Sequence, residues 1–154
     1  MEPTIDPFGI TARVHGTVVT PLPPQSAQET AMNRAFTNIL CIDVQGTARF
    51  YETLLDLRRI GDYGWFVLLG SNGPSGFELG FIDSSHETVP TAMATTAGGI
   101  MLTFVVDDVR AVHRRAEAMN AEIIQEPTAL FYGQTRLLLR DPSGTVVDVS
   151  SPSR

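Results

Sequence analysis

Residues 36–55 read FTNILCIDVQGTARFYETLL, and residues 100–119 read IMLTFVVDDVRAVHRRAEAM. Each opens on a run rich in β-branched and large apolar side chains, the composition of a strand. Each then passes through an aspartate, Asp43 or Asp108, placed where a carboxylate accepts the free amide hydrogens of a first helical turn. Behind Asp43, the residues Val44, Ala48, Tyr51 and Leu55 recur at the spacing of one helix face. Behind Asp108, Val109, Val112, Ala116 and Met119 do the same. At an offset of 65 residues, Asp43/Asp108, Val44/Val109, Arg49/Arg114 and Glu52/Glu117 coincide. The shared order of strand, cap and helix marks the two stretches as copies of one unit.

The copies agree further along. Residues 64–69 (GWFVLL) precede Pro74-Ser75-Gly76 and then residues 77–82 (FELGFI). Residues 133–140 (GQTRLLLR) precede Pro142-Ser143-Gly144 and then residues 145–149 (TVVDV). Strand, Pro-Ser-Gly turn, strand is a hairpin pattern in which proline presets one φ and glycine supplies a positive one. Residues 57–60 and 122–125 each add a short strand between helix and hairpin. Each copy therefore reads as strand, helix, three strands, and the small-residue stretch 91–99 (TAMATTAGG) is the linker between copies.

The beginning of the chain has another character. Five of the ten prolines (Pro3, Pro7, Pro21, Pro23 and Pro24) fall in the first 24 residues, and the TPLPPQSAQ segment has no apolar periodicity. Residues 1–33 are read as an extended, proline-rich arm without the basic start and apolar run of a signal peptide. Val14, Val18 and Val19 leave open a short edge strand there. Residues 34–152 then form a single domain of two modules, at about 35–90 and 99–151.

Composition limits the functional classes. Eleven Lys and Arg against 17 Asp and Glu give a net charge of −6, with no basic cluster, which argues against a phosphate-tracking nucleic-acid binder. The apolar runs fall far short of the ~20 residues of a membrane span. Cys41 is the only cysteine and lies inside an apolar run, so it reads as a small core residue in a reducing, cytoplasmic compartment. No nucleophile elbow, P-loop or dinucleotide fingerprint is present.

The repeat resembles the vicinal oxygen chelate superfamily, the group of glyoxalases, bleomycin-resistance proteins and extradiol dioxygenases. The residues that carry the resemblance are Asp43-Val44 followed by Thr47, Phe50-Tyr51 and Leu54-Leu55-Asp56-Leu57 in the first copy. The second copy supplies Phe104-Val105-Val106-Asp107-Asp108-Val109, then Gly133-Gln134-Thr135-Arg136 and Arg140-Asp141-Pro142-Ser143-Gly144. The resemblance implies an α+β fold, tandem βαβββ modules whose mixed sheets curve into a cup, usually completed in a homodimer and holding a ligand. Metal-using relatives place His or Glu ligands on the opening and closing strands of each module. Carried over, those positions are Phe36 and Glu78 in the first copy and Met101 and Asp148 in the second; a two-residue shift of the opening strands substitutes Asn38 and Thr103. Neither register supplies a histidine. The expectation is no metal cofactor, and Glu78 and Asp148 are the ligands of any divalent ion that does bind, since hard ions accept oxygen donors.

Several residues carry two readings. Glu78 between Phe77 and Leu79, and Asp148 between Val147 and Val149, are either solvent-facing strand acids or cup carboxylates suited to acid-base work. Trp65 either fills the core or stacks on a planar ligand, with Phe131 and Tyr132 as a second aromatic plate. Arg136 faces the cavity and pairs with an anionic group, or pairs with Asp148. His86 reads as a surface or rim residue, and His113 as a packing residue on the second helix. The expected function is a metal-independent small-molecule binder of the bleomycin-resistance kind, holding an aromatic or cationic compound. The alternatives are a lyase or isomerase using Glu78 and Asp148, and a structural dimer with an empty cup.

Overall fold

Two aspartates open the helices as their spacing predicts. In this computed structural model, which describes residues 34–74, 76–93 and 98–153, Asp43 accepts from the Gly46 amide at 2.8 Å and Asp108 from the amides of Arg110 and Ala111. The chain divides into two units, Met1–Ala35 and Phe36–Arg154. The arm expected over residues 1–33 lies outside the described residues, as does the centre of the 91–99 linker. A Cβ at Gly46 would press on the Asp43 carboxylate, which would have to shift to keep the cap.

The elements follow in order: β1 (Thr37–Cys41), α1 (Val44–Leu55), β2 (Arg58–Asp62), β3 (Phe66–Gly70) and β4 (Glu78–Asp83). After a 3₁₀ turn at Thr91–Met93 come β5 (Met101–Val105), α2 (Val109–Ala118), β6 (Glu122–Ala129), β7 (Gln134–Arg140) and β8 (Val146–Pro152). The strands form two four-stranded mixed sheets, ordered β1-β4-β3-β2 and β5-β8-β7-β6, with β1/β4 and β5/β8 parallel and the other pairs antiparallel. This is the α+β architecture of paired βαβββ modules. β1 and β5 are both edge strands.

One core joins the modules. Ile39, Cys41, Val67, Leu69, Leu79 and Phe81 of the first sheet, and Leu137, Leu139, Val147 and Val149 of the second, belong to one buried cluster with the inner faces of both helices. α1 is buried more broadly than its periodicity predicts: Leu54 is fully buried, whereas Leu55 is only partly so. The cause is a second neighbour. Tyr51 packs on Phe81 of its own sheet, with ring centroids 5.2 Å apart, and on Phe104 of the other at 6.1 Å. Its hydroxyl donates to Asp141 Oδ2 at 2.7 Å, and Arg115 Nη1 of α2 donates to the Leu54 carbonyl at 3.2 Å. The modules thus meet through their helices, and the opposite face of each sheet points away from the shared core.

Candidate functional site

Side chains alternate along a strand, so burying Val147 and Val149 turns Asp148 and Ser150 to the other face of β8. Register places Thr103 of β5 beside Asp148, Leu138 of β7 on its other side, and Arg136 of β7 opposite Ser150. These residues form a polar stripe across the helix-free face of the second sheet. Asp148 is only 6% exposed. Its Oδ1 accepts from Ser150 Oγ at 2.9 Å and its Oδ2 from Thr103 Oγ1 at a long 3.4 Å. Arg136 makes no ion pair with Asp148. It leans toward β6 instead, where Nη2 donates to Gln125 Oε1 at 3.3 Å, and its Nε is buried without a partner. Of these residues, Ser150 is missed by the sequence reading, although period-two alternation from Asp148 is a signal that finds it.

A cavity of about 290 Å³ lies where the modules meet, lined by Leu55, Leu57, Ser71, Phe77 and the β5 run from Thr103 through Val106. Phe77 and Phe104 stand edge to face there, 5.5 Å apart. The walls are largely apolar, and Thr103, which lines the cavity, also carries the hydroxyl that reaches Asp148. The cavity draws on residues from both copies, so nothing within either repeat announces it.

In the first sheet the corresponding face carries Asn38, which pairs with Gly80. A Cβ at Gly80 would strike the Asn38 amide and approach the Phe66 ring within 2.9 Å, so glycine is what lets both side chains lie across β4. Phe36 precedes β1 and is half-buried; Glu78 begins β4, half-buried, opposite Gly70. Asn38 and Thr103 are repeat equivalents, so the partner of Asp148 in the first module is Gly80, not Glu78. The two acids do not stand in equivalent places. The position beside Asp148 belongs to Thr103, with Met101 two residues earlier on the same face, opposite Val146 and 48% exposed.

This donor set does not fit the metal site that the resemblance implies. The equivalent positions offer one amide, one hydroxyl, one carboxylate and a glycine, with no imidazole. Among the described residues no group of three His, Cys, Asp or Glu side chains could hold an ion. The two histidines among the described residues are engaged elsewhere. His113 Nε2 lies 2.7 Å from Glu126 Oε2, and His86 stacks on Trp65 with centroids 3.9 Å apart and planes 6° from parallel. One face of Trp65 is therefore covered by the chain's own imidazole. Beside that loop, Asp83 accepts from the Ser85 hydroxyl and amide, which holds its carboxyl below the usual range. Phe131 and Tyr132 sit exposed in the β6–β7 turn, edge to face at 84°, so they do not form a flat plate. Arg140 serves its turn, donating to the Gly144 carbonyl at 3.1 Å.

A paired βαβββ chain with a hydroxyl-held acid on an open sheet face is the class this geometry defines. The sequence profile of the Glyoxalase/Bleomycin resistance protein/Dioxygenase superfamily matches residues 34–149, and the chain belongs to that superfamily. Among curated proteins none matches it in sequence. Solved structures share the fold. A glyoxalase/bleomycin resistance protein/dioxygenase family enzyme from Burkholderia phytofirmans superposes with a TM-score of 0.65 at 23% identity, covering 76% of this chain and 96% of its own. A protein of unknown function from Agrobacterium tumefaciens gives 0.62 at 23%, covering 82% and 98%. A lactoylglutathione lyase from the same organism gives 0.58 at 20%, covering 78% and 94%. At these identities the likeness is one of fold.

Proposed function

We propose that the chain is a metal-independent small-molecule-binding protein of the bleomycin-resistance kind, which sequesters an aromatic or cationic compound. One observation carries this reading: an apolar cavity of about 290 Å³ shares Thr103 with a nearly buried, hydroxyl-held Asp148. Small-molecule sites pair apolar walls with a few placed polar groups. The compound's apolar body packs at the β5 edge of the cavity, over Thr103 and Val105, whose side chains share the open face with Asp148, and its ammonium or other donor meets Asp148, whose carboxylate retains acceptor capacity beyond the two hydroxyls. The net charge of −6 favours a cation. The buried, unpaired thiol of Cys41 suits a reducing cytoplasm, and no helix among the described residues is long and apolar enough to cross a membrane.

The working form in this reading is a homodimer. Among the described residues both β1 and β5 stand at sheet edges, and Met101 and Val105 (48% and 70% exposed) present apolar side chains on the open face beside Asp148. Edges and apolar patches of this kind call for a partner. Sedimentation equilibrium is expected to give twice the chain mass, and Val105→Lys to return a folded monomer. A wild-type monomer at tens of micromolar overturns the assembly reading.

The binding reading is tested by calorimetry with benzylamine as probe. Saturable binding is expected, weakened about tenfold or more in Asp148→Asn, since hydrogen bonds to a charged group contribute about 1.5–3 kcal/mol. The probe is expected back unaltered by mass spectrometry. No saturable heat, or an Asp148→Asn protein that binds equally well, overturns the reading; an altered probe would make the chain an enzyme.

A further inference from the structure

The Arg136 guanidinium is the one polar group of this face without a settled partner. Among the described residues its Nε is sequestered and unbonded, and its one hydrogen bond runs to the neutral Gln125 amide at 3.3 Å. Among the described residues no carboxylate lies in ion-pair range of it, whereas Arg59 and Arg140 each hold at least one at 2.6–3.1 Å. A buried donor without an acceptor in a folded protein calls for an explanation, and recognition of a ligand's acceptor is one. Two features locate that ligand. Arg136 stands directly opposite Ser150 on the adjacent strand, which makes Asp148 its diagonal neighbour at about 7–8 Å. The two opposite charges nonetheless do not meet: Asp148 is held by hydroxyls from β8 and β5, and Arg136 turns toward β6. An acid and a base kept apart on one face form a pair of complementary sockets.

We infer that Arg136 binds a carboxylate, so that the ligand is a zwitterionic small molecule. Its apolar end lies over Thr103 and Val105 at the β5 edge, its donor group meets Asp148, and its carboxylate meets Arg136, in that order across β5, β8 and β7. The guanidinium is suited to this because its Nε–H and an Nη–H present a planar fork that matches two carboxylate oxygens, an arrangement lysine lacks. The inference rests on the binding reading above and adds the anionic half of the ligand and the residue that selects it.

The test compares two probes that differ only at that end, N-benzyl-4-aminobutyrate and its primary amide. Calorimetry on the full chain is expected to show the carboxylate binding about 10–100-fold more tightly, the range of a charge-assisted pair. In ¹⁵N spectra the Arg136 Nε–H signal is expected to shift on saturation with the acid and to stay in place with the amide. Arg136→Gln is expected to bind both probes with the affinity the wild type shows for the amide, and Arg136→Lys to restore only part of the preference. Equal affinity for acid and amide, with binding still lost in Asp148→Asn, overturns the role of Arg136 and leaves the binding reading intact. Failure of both probes to bind overturns both. Should Arg136→Gln not fold, the probe comparison and the Nε–H shift in the wild type still decide.

Discussion

Asp141→Ala is expected to lower the unfolding free energy by about 3–5 kcal/mol in urea at neutral pH, the range for a broken buried network. Asp141 is 4% exposed and closes the turn between β7 and β8. Its Oδ1 accepts from the Ser143 amide (2.9 Å), the Ser143 hydroxyl (2.6 Å) and the Thr145 amide (2.8 Å). Its Oδ2 accepts from the Tyr51 hydroxyl (2.7 Å), which belongs to α1 of the other module. Alanine strands four donors at once, and the Tyr51 hydroxyl has no solvent to turn to, because that residue is fully buried. Asp141→Asn retains an acceptor for the turn but sets an amide against the phenol, so a loss of about 1–3 kcal/mol is expected. Tyr51→Phe, which removes only the bond between modules, is expected to cost about 1 kcal/mol. A loss below about 1 kcal/mol for Asp141→Ala would mean that the turn re-forms without its carboxylate and that the modules stay joined without the Tyr51–Asp141 bond.

The residues with local jobs were legible in the sequence. Asp43 and Asp108 cap because a carboxylate before an amphipathic run has few other uses, and the Pro-Ser-Gly hairpins need no distant partner. Glycine at position 144 has φ 93°, as the second of those hairpins demands. Positions decided between modules were less legible. The full burial of Leu54 follows from α1 having both sheets as neighbours, which periodicity within one helix does not report. Glu78 and Asp148 look alike in sequence, each flanked by apolar residues in a closing strand. Strand register separates them, since one residue pair along β4 puts Gly80 where the repeat would set an acid. A shift of register leaves the hydrophobic pattern intact when it is a multiple of two, so alternation alone cannot choose. The stacking of Trp65 on His86 is likewise a contact between the start of β3 and the loop after β4, and the two are 21 residues apart in the sequence.

Raising the pH is expected to unfold the protein from about pH 9 upward, with the urea midpoint falling continuously to pH 11. Two buried acids cause this. Burial pushes the Cys41 thiol from 9.0 up to about 11, with the charges of Asp141, Asp43 and Asp83 adding to the effect and a hydrogen bond to Thr47 opposing it. Burial also drives the Tyr51 phenol far above the tyrosine range, reinforced by the charge of Asp141. Both groups are neutral in the fold. In the unfolded chain the thiol ionises near 9 and the phenol near 10, so above those values the folded state holds more protons and stability must fall with pH. Below pH 9 their contribution is fully present. Each group takes away up to about 1.4 kcal/mol per pH unit once its unfolded form has ionised. Cys41 acts between pH 9 and 11, and Tyr51 from pH 10 on. Cys41→Ala is therefore expected to flatten the decline between pH 9 and 10 and to lessen it between pH 10 and 11, where Tyr51 still acts. Tyr51→Phe is expected to be less stable than wild type at pH 7 yet to lose less between pH 10 and 11, so that the two curves converge. A urea midpoint that holds constant from pH 9 to 11 would mean that both groups ionise inside the fold, which requires water to reach α1 between the two sheets.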